Sequence, residues 1–187
     1  MSECVKVLRD ELPYNLHIFV NSVEFIAKVI DTLKLAPEAV KVVCSTSGES
    51  RQENQRKLGN AYPIGQPSDP AKKINFYTST CFEGCDIFDP DGVTFIVSDG
   101  RKAHTLLDIS TLFTQICGRI RDSRYKAQIV HVYSTTKYSK AVTLDEFVAA
   151  TQRTLADAES YAAEINSLSE ATRVKTLSKI PYINEQY

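Results

Sequence analysis

The chain has 187 residues, of which 43% are hydrophobic and 24% are charged, a composition typical of a globular protein with a buried core. The formal net charge of -1 gives no overall attraction to nucleic acid, so any basic surface is local. No apolar run is long enough to span a bilayer, and the first residues lack the apolar core of a signal peptide, so we expect no membrane association. Five cysteines, an odd number, indicate reduced thiols and a cytoplasmic protein.

Five short apolar runs predict β-strands, because each is rich in β-branched or aromatic residues and leads into polar or turn residues. They occupy residues 16–20, 40–44, 74–78, 93–97 and 128–133. Helical periodicity follows several of them, as with Phe25, Val29 and Leu33 after the first strand. This alternation predicts an α/β fold over residues 1–142, with a mostly parallel sheet and helices on both faces.

Polar residues at fixed spacing mark where helices begin, because a capping side chain accepts a hydrogen bond from a backbone N–H that has no partner inside the helix. We expect three capping boxes and one further cap: Asn21 with Glu24, Ser50 with Glu53, Thr143 with Glu146, and Asp108 alone. The helix from Asp108 is predicted to carry Gly118 and Arg119.

Residues 143–187 are predicted to form a helical extension. Apolar or small residues recur there in alternating steps of four and three: Leu144, Val148, Thr151, Leu155, Ala158, Ala162 and Ile165. This spacing places them in one stripe along a long helix. We favour packing of this stripe on the helix's own domain, and a partner-binding or interdomain helix is the alternative.

Arg119 is the first candidate for a functional side chain. Gly118 beside it would cost about 1 kcal/mol relative to Ala inside a helix, which suggests close approach of a backbone or a ligand. The guanidinium of Arg119 is a planar, permanently charged donor suited to phosphate. The alternative is an ordinary surface Arg that pairs with Asp122.

The segment after the third strand offers groups suited to a nucleotide. Thr78, Ser79 and Thr80 provide hydroxyls where the chain leaves the strand, at the edge of the sheet where α/β proteins bind ligands. Gly84 permits a tight turn, and Asp86 could accept hydrogen bonds from a ribose hydroxyl. A cap or turn role for Asp86 is the alternative.

Three stretches resemble motifs of superfamily-2 helicases. Residues 78–86, Thr-Ser-Thr-Cys-Phe-Glu-Gly-Cys-Asp, look like motif V, in which a Thr is followed by a Gly six residues later and an Asp two further on. Residues 115–121, Gln-Ile-Cys-Gly-Arg-Ile-Arg, look like motif VI, which carries the arginine finger. Residues 18–22, Ile-Phe-Val-Asn-Ser, are similar to motif IV. The order and spacing of these motifs fit across residues 14–135.

The resemblance implies the C-terminal RecA-like domain of a DEAD/DEAH-like helicase, in which ATP and Mg²⁺ bind between two such domains. The first RecA-like domain would supply the phosphate-binding loop and the Mg²⁺ carboxylates, which match no motif in this chain. The residues implied as catalytic are Arg119, as the finger that reaches the γ-phosphate, Gln115 and Arg121. Those implied to face the nucleotide are Gly84, Asp86 and Gly118. Those implied to hold nucleic acid are Asn21, Ser22, Thr46, Ser47, Thr78 and Ser79.

The sequence departs from the family pattern at two positions. Asp122 stands where a second Arg is common, with Arg121 and Arg124 on either side, and which of these, if either, serves as a second finger is open. Glu83 replaces the common Arg before the motif V glycine, which favours a divergent branch acting on DNA over a standard DEAD-box RNA helicase. Without a phosphate-binding loop, this chain alone is expected not to hydrolyse ATP.

Two other functions remain open at this point. One is a non-catalytic module, derived from a helicase domain, that binds nucleic acid or protein. The other is an α/β enzyme of a different class that uses residues 78–86 to bind a phosphorylated small molecule. The three histidines, His17, His104 and His131, favour structural roles, and the pair Cys81 and Cys85 lacks the second pair that a zinc site needs.

Overall fold

A computed structural model describes residues 2–134 and 142–177, and the chain divides into two compact units, residues 1–137 and 138–187. The predicted extension therefore lies within the described residues as far as 177, and its last part, 178–187, lies outside them.

The first unit contains a five-stranded sheet in which every pair of neighbouring strands is parallel. The strands are β1 (Asn15–Phe19), β2 (Val40–Val43), β3 (Ile74–Tyr77), β4 (Gly92–Asp99) and β5 (Ile129–Ser134), in the order β2-β3-β1-β4-β5. The residues of β2 and β3 are all buried, as expected for strands covered on both faces. The predicted α/β class is confirmed, and the architecture is consistent with a RecA-like fold.

The helices connect these strands or follow them. In the first unit they are α1 (Ser2–Leu8), α2 (Val23–Leu33), α3 (Gly48–Leu58) and α4 (Thr114–Cys117), the last preceded by a π-helical turn, Ile109–Phe113. Short 3₁₀ turns lie at Pro37–Ala39, Ser79–Cys81 and Ala103–Thr105. The second unit contains α5 (Leu144–Ser167) and α6 (Glu170–Leu177).

Two of the predicted helix caps are confirmed. The carboxylate of Asp108 accepts a hydrogen bond from the N–H of Thr111. Thr143 and Glu146 form a reciprocal capping box at the start of α5. These caps were predictable because they depend on residues close together in sequence.

The other two predicted caps are wrong. Ser22, not Asn21, caps α2, and its hydroxyl accepts from the N–H of Phe25 at 3.2 Å. Helix α3 begins at Gly48, directly after Ser47, so Ser50 lies inside the first turn rather than before it. Because Gly48 takes a positive φ of 49°, the chain turns into the helix earlier than the Ser50–Glu53 spacing suggested.

The prediction that Gly118 and Arg119 lie inside a helix is also wrong. Helix α4 ends at Cys117, and Gly118 is its C-terminal cap, with φ -96° and ψ 2°. The argument from the cost of a mid-helix glycine therefore does not apply. Gln115, Gly118 and Arg119 are brought together by the end of the helix and the extended chain after it, not by a common helical face.

The sheet separates two hydrophobic clusters. On one face, alternate residues of β1 such as Leu16 and Ile18 pack with Ile26 and Ile30 of α2. On the other face, Phe19 of β1 packs with a cluster contributed largely by the segment that follows β3 and by α4 with the residues after it. Its buried members beyond the strands are Cys81, Phe82, Ile87, Ile116 and Ile120. This second face therefore carries both motif-like segments.

Within the described residues, every helix is too short or too polar to cross a bilayer.

Candidate functional site

The motif V segment, residues 78–86, leaves β3 at its carboxyl end. The N–H of Thr78 donates to the carbonyl of Val43 on β2 at 3.0 Å, which fixes the start of the segment against the sheet. Cys81 and Phe82 are almost fully buried and anchor the segment to the second face. Gly84 then turns the chain outward with φ 71°, and nothing lies within 4 Å of the position that a Cβ would take there. A backbone so exposed at a left-handed turn leaves room for a ligand.

The motif VI segment, residues 115–121, lies directly beside the end of the motif V segment. Ile87 and Ile120 form a parallel β-bridge. The N–H of Ile87 donates to the carbonyl of Arg119 at 2.9 Å, and the N–H of Arg121 donates to the carbonyl of Ile87 at 3.0 Å. Both isoleucine side chains are buried. Two stretches far apart in sequence are therefore joined by backbone hydrogen bonds over a common apolar anchor.

The bridge brings charged side chains of the two segments together. Arg121 Nε donates to Asp86 Oδ1 at 2.7 Å, and both side chains are about half exposed, at 48% and 46%. Arg119 donates from Nε to its own segment at the carbonyl of Gln115, 2.9 Å, and from Nη1 to the carbonyl of Cys85, 3.0 Å. The structure thus places Asp86, Arg119 and Arg121 around one junction.

Gln115 and Gly118 lie at the same junction. The N–H of Gly118 donates to the carbonyl of Gln115 at 3.1 Å, which closes the last turn of α4. A Cβ at Gly118 would lie 3.6 Å from that carbonyl, an ordinary contact, so the structure does not require glycine here. Five of the six residues predicted to act on the nucleotide, all except Gly84, are therefore grouped at the bridge.

The two charged residues that follow Arg121 have partners in the turn before β4. Asp122 Oδ1 accepts from the backbone N–H of Asp89 at 2.9 Å, so Asp122 does not pair with Arg119 as one sequence-based alternative suggested. Arg124 Nη2 lies 2.7 Å from Asp91 Oδ1. Both side chains fasten the segment to that turn.

The residues predicted to hold nucleic acid lie in three neighbouring loops, which we call the strand-end loops. Residues 21–22 follow β1, residues 46–47 follow β2 and residues 78–79 follow β3, and these three strands are adjacent in the sheet. Asn21 links its own loop to two others. Its Oδ1 accepts a hydrogen bond from the N–H of Ser79, after β3, at 3.4 Å, and its Nδ2 donates to the carbonyl of His104, after β4, at 2.9 Å.

The strand-end loops differ in how much they expose. Thr46, Ser47 and Ser79 are exposed, whereas Ser22 and Thr78 are only 8% and 5% exposed. The hydroxyl of Ser22 is occupied in capping α2. The exposed hydroxyls of Thr46, Ser47 and Ser79 are therefore the groups best placed to contact a ligand at this edge, whereas both amide atoms of Asn21 already have partners in neighbouring loops.

One buried polar network was missed by the sequence analysis. His17, fully buried in β1, contacts Asp89 Oδ2 through Nε2 at 2.8 Å and the hydroxyl of Tyr77 through Nδ1 at 3.1 Å. Asn15 Nδ2 donates to the same Asp89 oxygen at 3.0 Å. A proton on Nε2 of His17 would satisfy both ring contacts. The signal in the sequence was a single His in an apolar strand, which does not identify its partner.

Burial and hydrogen bonding act in opposite directions on Asp89. Desolvation alone would raise the pKa of its carboxyl, but the hydrogen bonds from His17 and Asn15 outweigh it and hold the pKa below its ordinary value. For Tyr77 burial dominates and raises the pKa of the phenol. The network therefore keeps an ionised carboxylate and a neutral phenol beneath the motif segments.

The remaining candidates have partners of their own. His131 contacts the Ser98 hydroxyl at 3.2 Å, and Cys85 donates from Sγ to the carbonyl of Cys81 at 3.2 Å. Burial raises the pKa of the Cys81 thiol to about 12, so this thiol stays protonated. Among the residues that the structure describes, no group of three or more His, Cys, Asp or Glu side chains is placed to hold a metal ion.

No protein-family model, no curated protein and no solved structure matches this chain.

Proposed function

We propose that this chain is the second RecA-like domain of an ATP-dependent helicase or translocase, with DNA favoured over RNA as its substrate. The observation that carries the proposal is the bridge between Ile87 and Ile120, which joins the motif V and motif VI segments side by side. The proposal requires this juxtaposition, because the residues that it assigns to one nucleotide come from both segments.

Arg119 is the residue to which the proposal assigns the arginine finger. Its guanidinium donates to two backbone carbonyls, those of Gln115 and Cys85, which orient the group without neutralising it. Arg121 and Arg124 are instead paired with the carboxylates of Asp86 and Asp91. Phosphoryl transfer needs a cation that stabilises charge in the transition state, and Arg119 keeps its positive charge available for that role.

The residues of the motif V segment suit the other parts of a nucleotide. Gly84 presents backbone without a side chain, and the half-exposed carboxylate of Asp86 could accept from ribose hydroxyls once Arg121 moves aside. In this proposal, Mg²⁺ and most contacts to the phosphates come from the first RecA-like domain. Bound ATP supplies the free energy of hydrolysis, and closure of the two domains places Arg119 at the γ-phosphate.

The strand-end loops supply the proposed contacts to nucleic acid. Hydroxyl and backbone N–H groups hold phosphates without reading sequence, and Thr46, Ser47 and Ser79 offer such groups at one edge of the sheet. Because these groups are neutral, the contacts fit a backbone-binding surface whose affinity depends less on salt than a lysine-rich one.

A non-catalytic module is the second candidate, and one observation favours it. Asp122 occupies the position where the family pattern often has a second Arg. Its carboxylate accepts a hydrogen bond from the backbone N–H of Asp89, in the turn before β4. An acidic group in a structural role replaces a cation that the reaction would use. A domain of this kind would bind nucleic acid without supporting turnover.

The test is steady-state ATP hydrolysis by the complete gene product, with and without single-stranded DNA and RNA. Arg119→Ala should lower turnover by about 10³-fold, the effect typical of losing an arginine finger. Arg101→Ala is the matched control, because it removes an exposed Arg that lies outside the motif VI segment and pairs with Asp99, and it should retain turnover.

Unchanged turnover in Arg119→Ala would refute the assignment of the finger. Nucleic-acid binding without hydrolysis in the wild type would favour the non-catalytic module. Turnover by this chain in isolation would contradict the proposal that the first domain supplies the phosphate-binding loop.

A further inference from the structure

Helix α5, in the second unit, carries a stripe of mostly apolar and small residues along one side, and this feature is independent of the proposed function. The helix has 24 residues, which corresponds to a length of about 36 Å. Leu144, Val148 and Leu155 are 75%, 41% and 59% exposed. Together with Thr151, Ala158, Ala162 and Ile165 they recur in the alternating steps of four and three that define a coiled-coil seam.

We propose that α5 pairs with α5 of a second copy of this chain in an antiparallel coiled coil. In heptad notation the a positions are Val148, Leu155 and Ala162, and the d positions are Leu144, Thr151, Ala158 and Ile165. The two-fold axis passes between positions 156 and 157. Each a residue then faces a d residue of the other copy, as antiparallel pairing requires.

This register pairs large side chains with small ones. Leu155 faces Ala158 of the second copy, and Thr151 faces Ala162. The larger side chain in each pair fills the space that the small alanine side chain leaves in the opposite helix. Val148 faces Ile165 in the outer layer. The Thr151 hydroxyl donates to the carbonyl of Phe147 at 2.9 Å, so it can be buried in the seam without losing its hydrogen bond.

Charges beside the seam select the same register. The e positions, which face each other in an antiparallel pair, are Asp145, Gln152, Glu159 and Asn166. In the proposed register Asp145 faces Asn166 and Gln152 faces Glu159, so no like charges meet. A shift by one heptad toward the amino ends would place Asp145 opposite Glu159, which is unfavourable.

A parallel pair fits less well. In-register parallel helices would stack Ala158 on Ala158 and Ala162 on Ala162 in successive layers, which leaves the seam underpacked. The antiparallel arrangement avoids both of these layers. Large-small complementarity and charge therefore both point to a second copy in antiparallel orientation as the occupant of this stripe.

The test is sedimentation velocity of the full chain over a range of concentrations, with Leu155→Asp and Ala156→Asp as a matched pair. Leu155 lies in the seam, and by symmetry its substitution acts twice, so the dimer Kd should rise at least about 100-fold. Ala156 lies at an outward b position, and its substitution should leave the Kd within about 3-fold. Far-UV circular dichroism checks that both variants keep their helix content.

Two further variants test the orientation. Gln152→Lys should tighten the dimer and Gln152→Glu should loosen it, each by about 5-fold, because position 152 faces Glu159 twice in the antiparallel pair. In a parallel pair position 152 would face Phe147, and the two variants would have the same Kd. A monomeric wild-type chain, a dimer indifferent to Leu155→Asp, or equal Kd values for the two Gln152 variants would each overturn the proposal.

Discussion

Asp89 gives the sharpest test of how this fold is held together. Its carboxylate is almost fully buried and accepts hydrogen bonds from His17 Nε2, Asn15 Nδ2 and the N–H of Asp91, at 2.8, 3.0 and 3.0 Å. Asp89→Ala removes the acceptor and leaves the buried His17 donor and the partly buried Asn15 donor without a partner there. An unsatisfied buried donor costs about 1–3 kcal/mol, so we expect a loss of about 3–5 kcal/mol in the free energy of unfolding.

The assay is urea unfolding followed by far-UV circular dichroism. Asp91→Ala is the control, since it alters the same turn but removes only an ion pair with Arg124, and it should cost less than about 1 kcal/mol. Asp89→Asn, which keeps one oxygen acceptor, should fall between the two. A loss of less than about 1 kcal/mol in Asp89→Ala would show that the network does not stabilise the fold.

The dependence on pH has a defined sign. Because the folded-state pKa of Asp89 is lowered, the unfolded state binds more protons in acid, and the contribution of Asp89 is complete above its unfolded pKa of about 3.9. It is lost as the pH falls through the lower, folded-state pKa. The difference in stability between wild type and Asp89→Asn should therefore be largest near neutral pH and shrink below about pH 4.

Two further substitutions test packing and capping by the same unfolding assay. Gly92→Ala should lower the free energy of unfolding by about 1–3 kcal/mol, because the new Cβ would lie 2.9 Å from two atoms of the buried His17 ring. A smaller loss would mean that the ring can move away without cost. Ser22→Ala should cost about 1 kcal/mol through the cap of α2 and Ser22→Gly only a few tenths, whereas equal losses would refute a capping role.

Local sequence was sufficient where the determining interactions are local. The five apolar runs became the five strands, since β-branched and aromatic side chains favour extended backbone. Strands β2 and β3 are buried throughout, whereas β5, at the edge of the sheet, is mostly exposed. The Thr143–Glu146 capping box formed as predicted, since both partners lie within one helical turn. The heptad spacing of α5 is likewise a property of one continuous helix.

Tertiary contacts decided the start of α2. Asn21 and Ser22 are equally suitable caps by residue type, and the spacing to Glu24 favoured Asn21. In the structure Asn21 instead joins the carbonyl of His104 to the N–H of Ser79, two partners distant in sequence. Ser22 was left to cap the helix.

The end of α4 was decided in the same way. Helical spacing continues through Ile116 and Ile120, so the sequence predicted a helix across Gly118. The backbone on either side of Ile120 instead bonds to Ile87, which requires an extended chain. A partner far away in sequence overrides local periodicity because its backbone hydrogen bonds replace those of the next helical turn.

The sequence by itself determined the parallel α/β class, the strand positions, the residues at the strand ends and the apolar stripe of α5. Only the tertiary structure decided that Asp86, Arg119 and Arg121 meet at one junction, and that His17 is buried against Asp89 and Tyr77. The physical reason is the same in each case. Periodicity and capping depend on near neighbours in the chain, whereas the partner of a buried charge or an extended segment depends on how the whole chain folds.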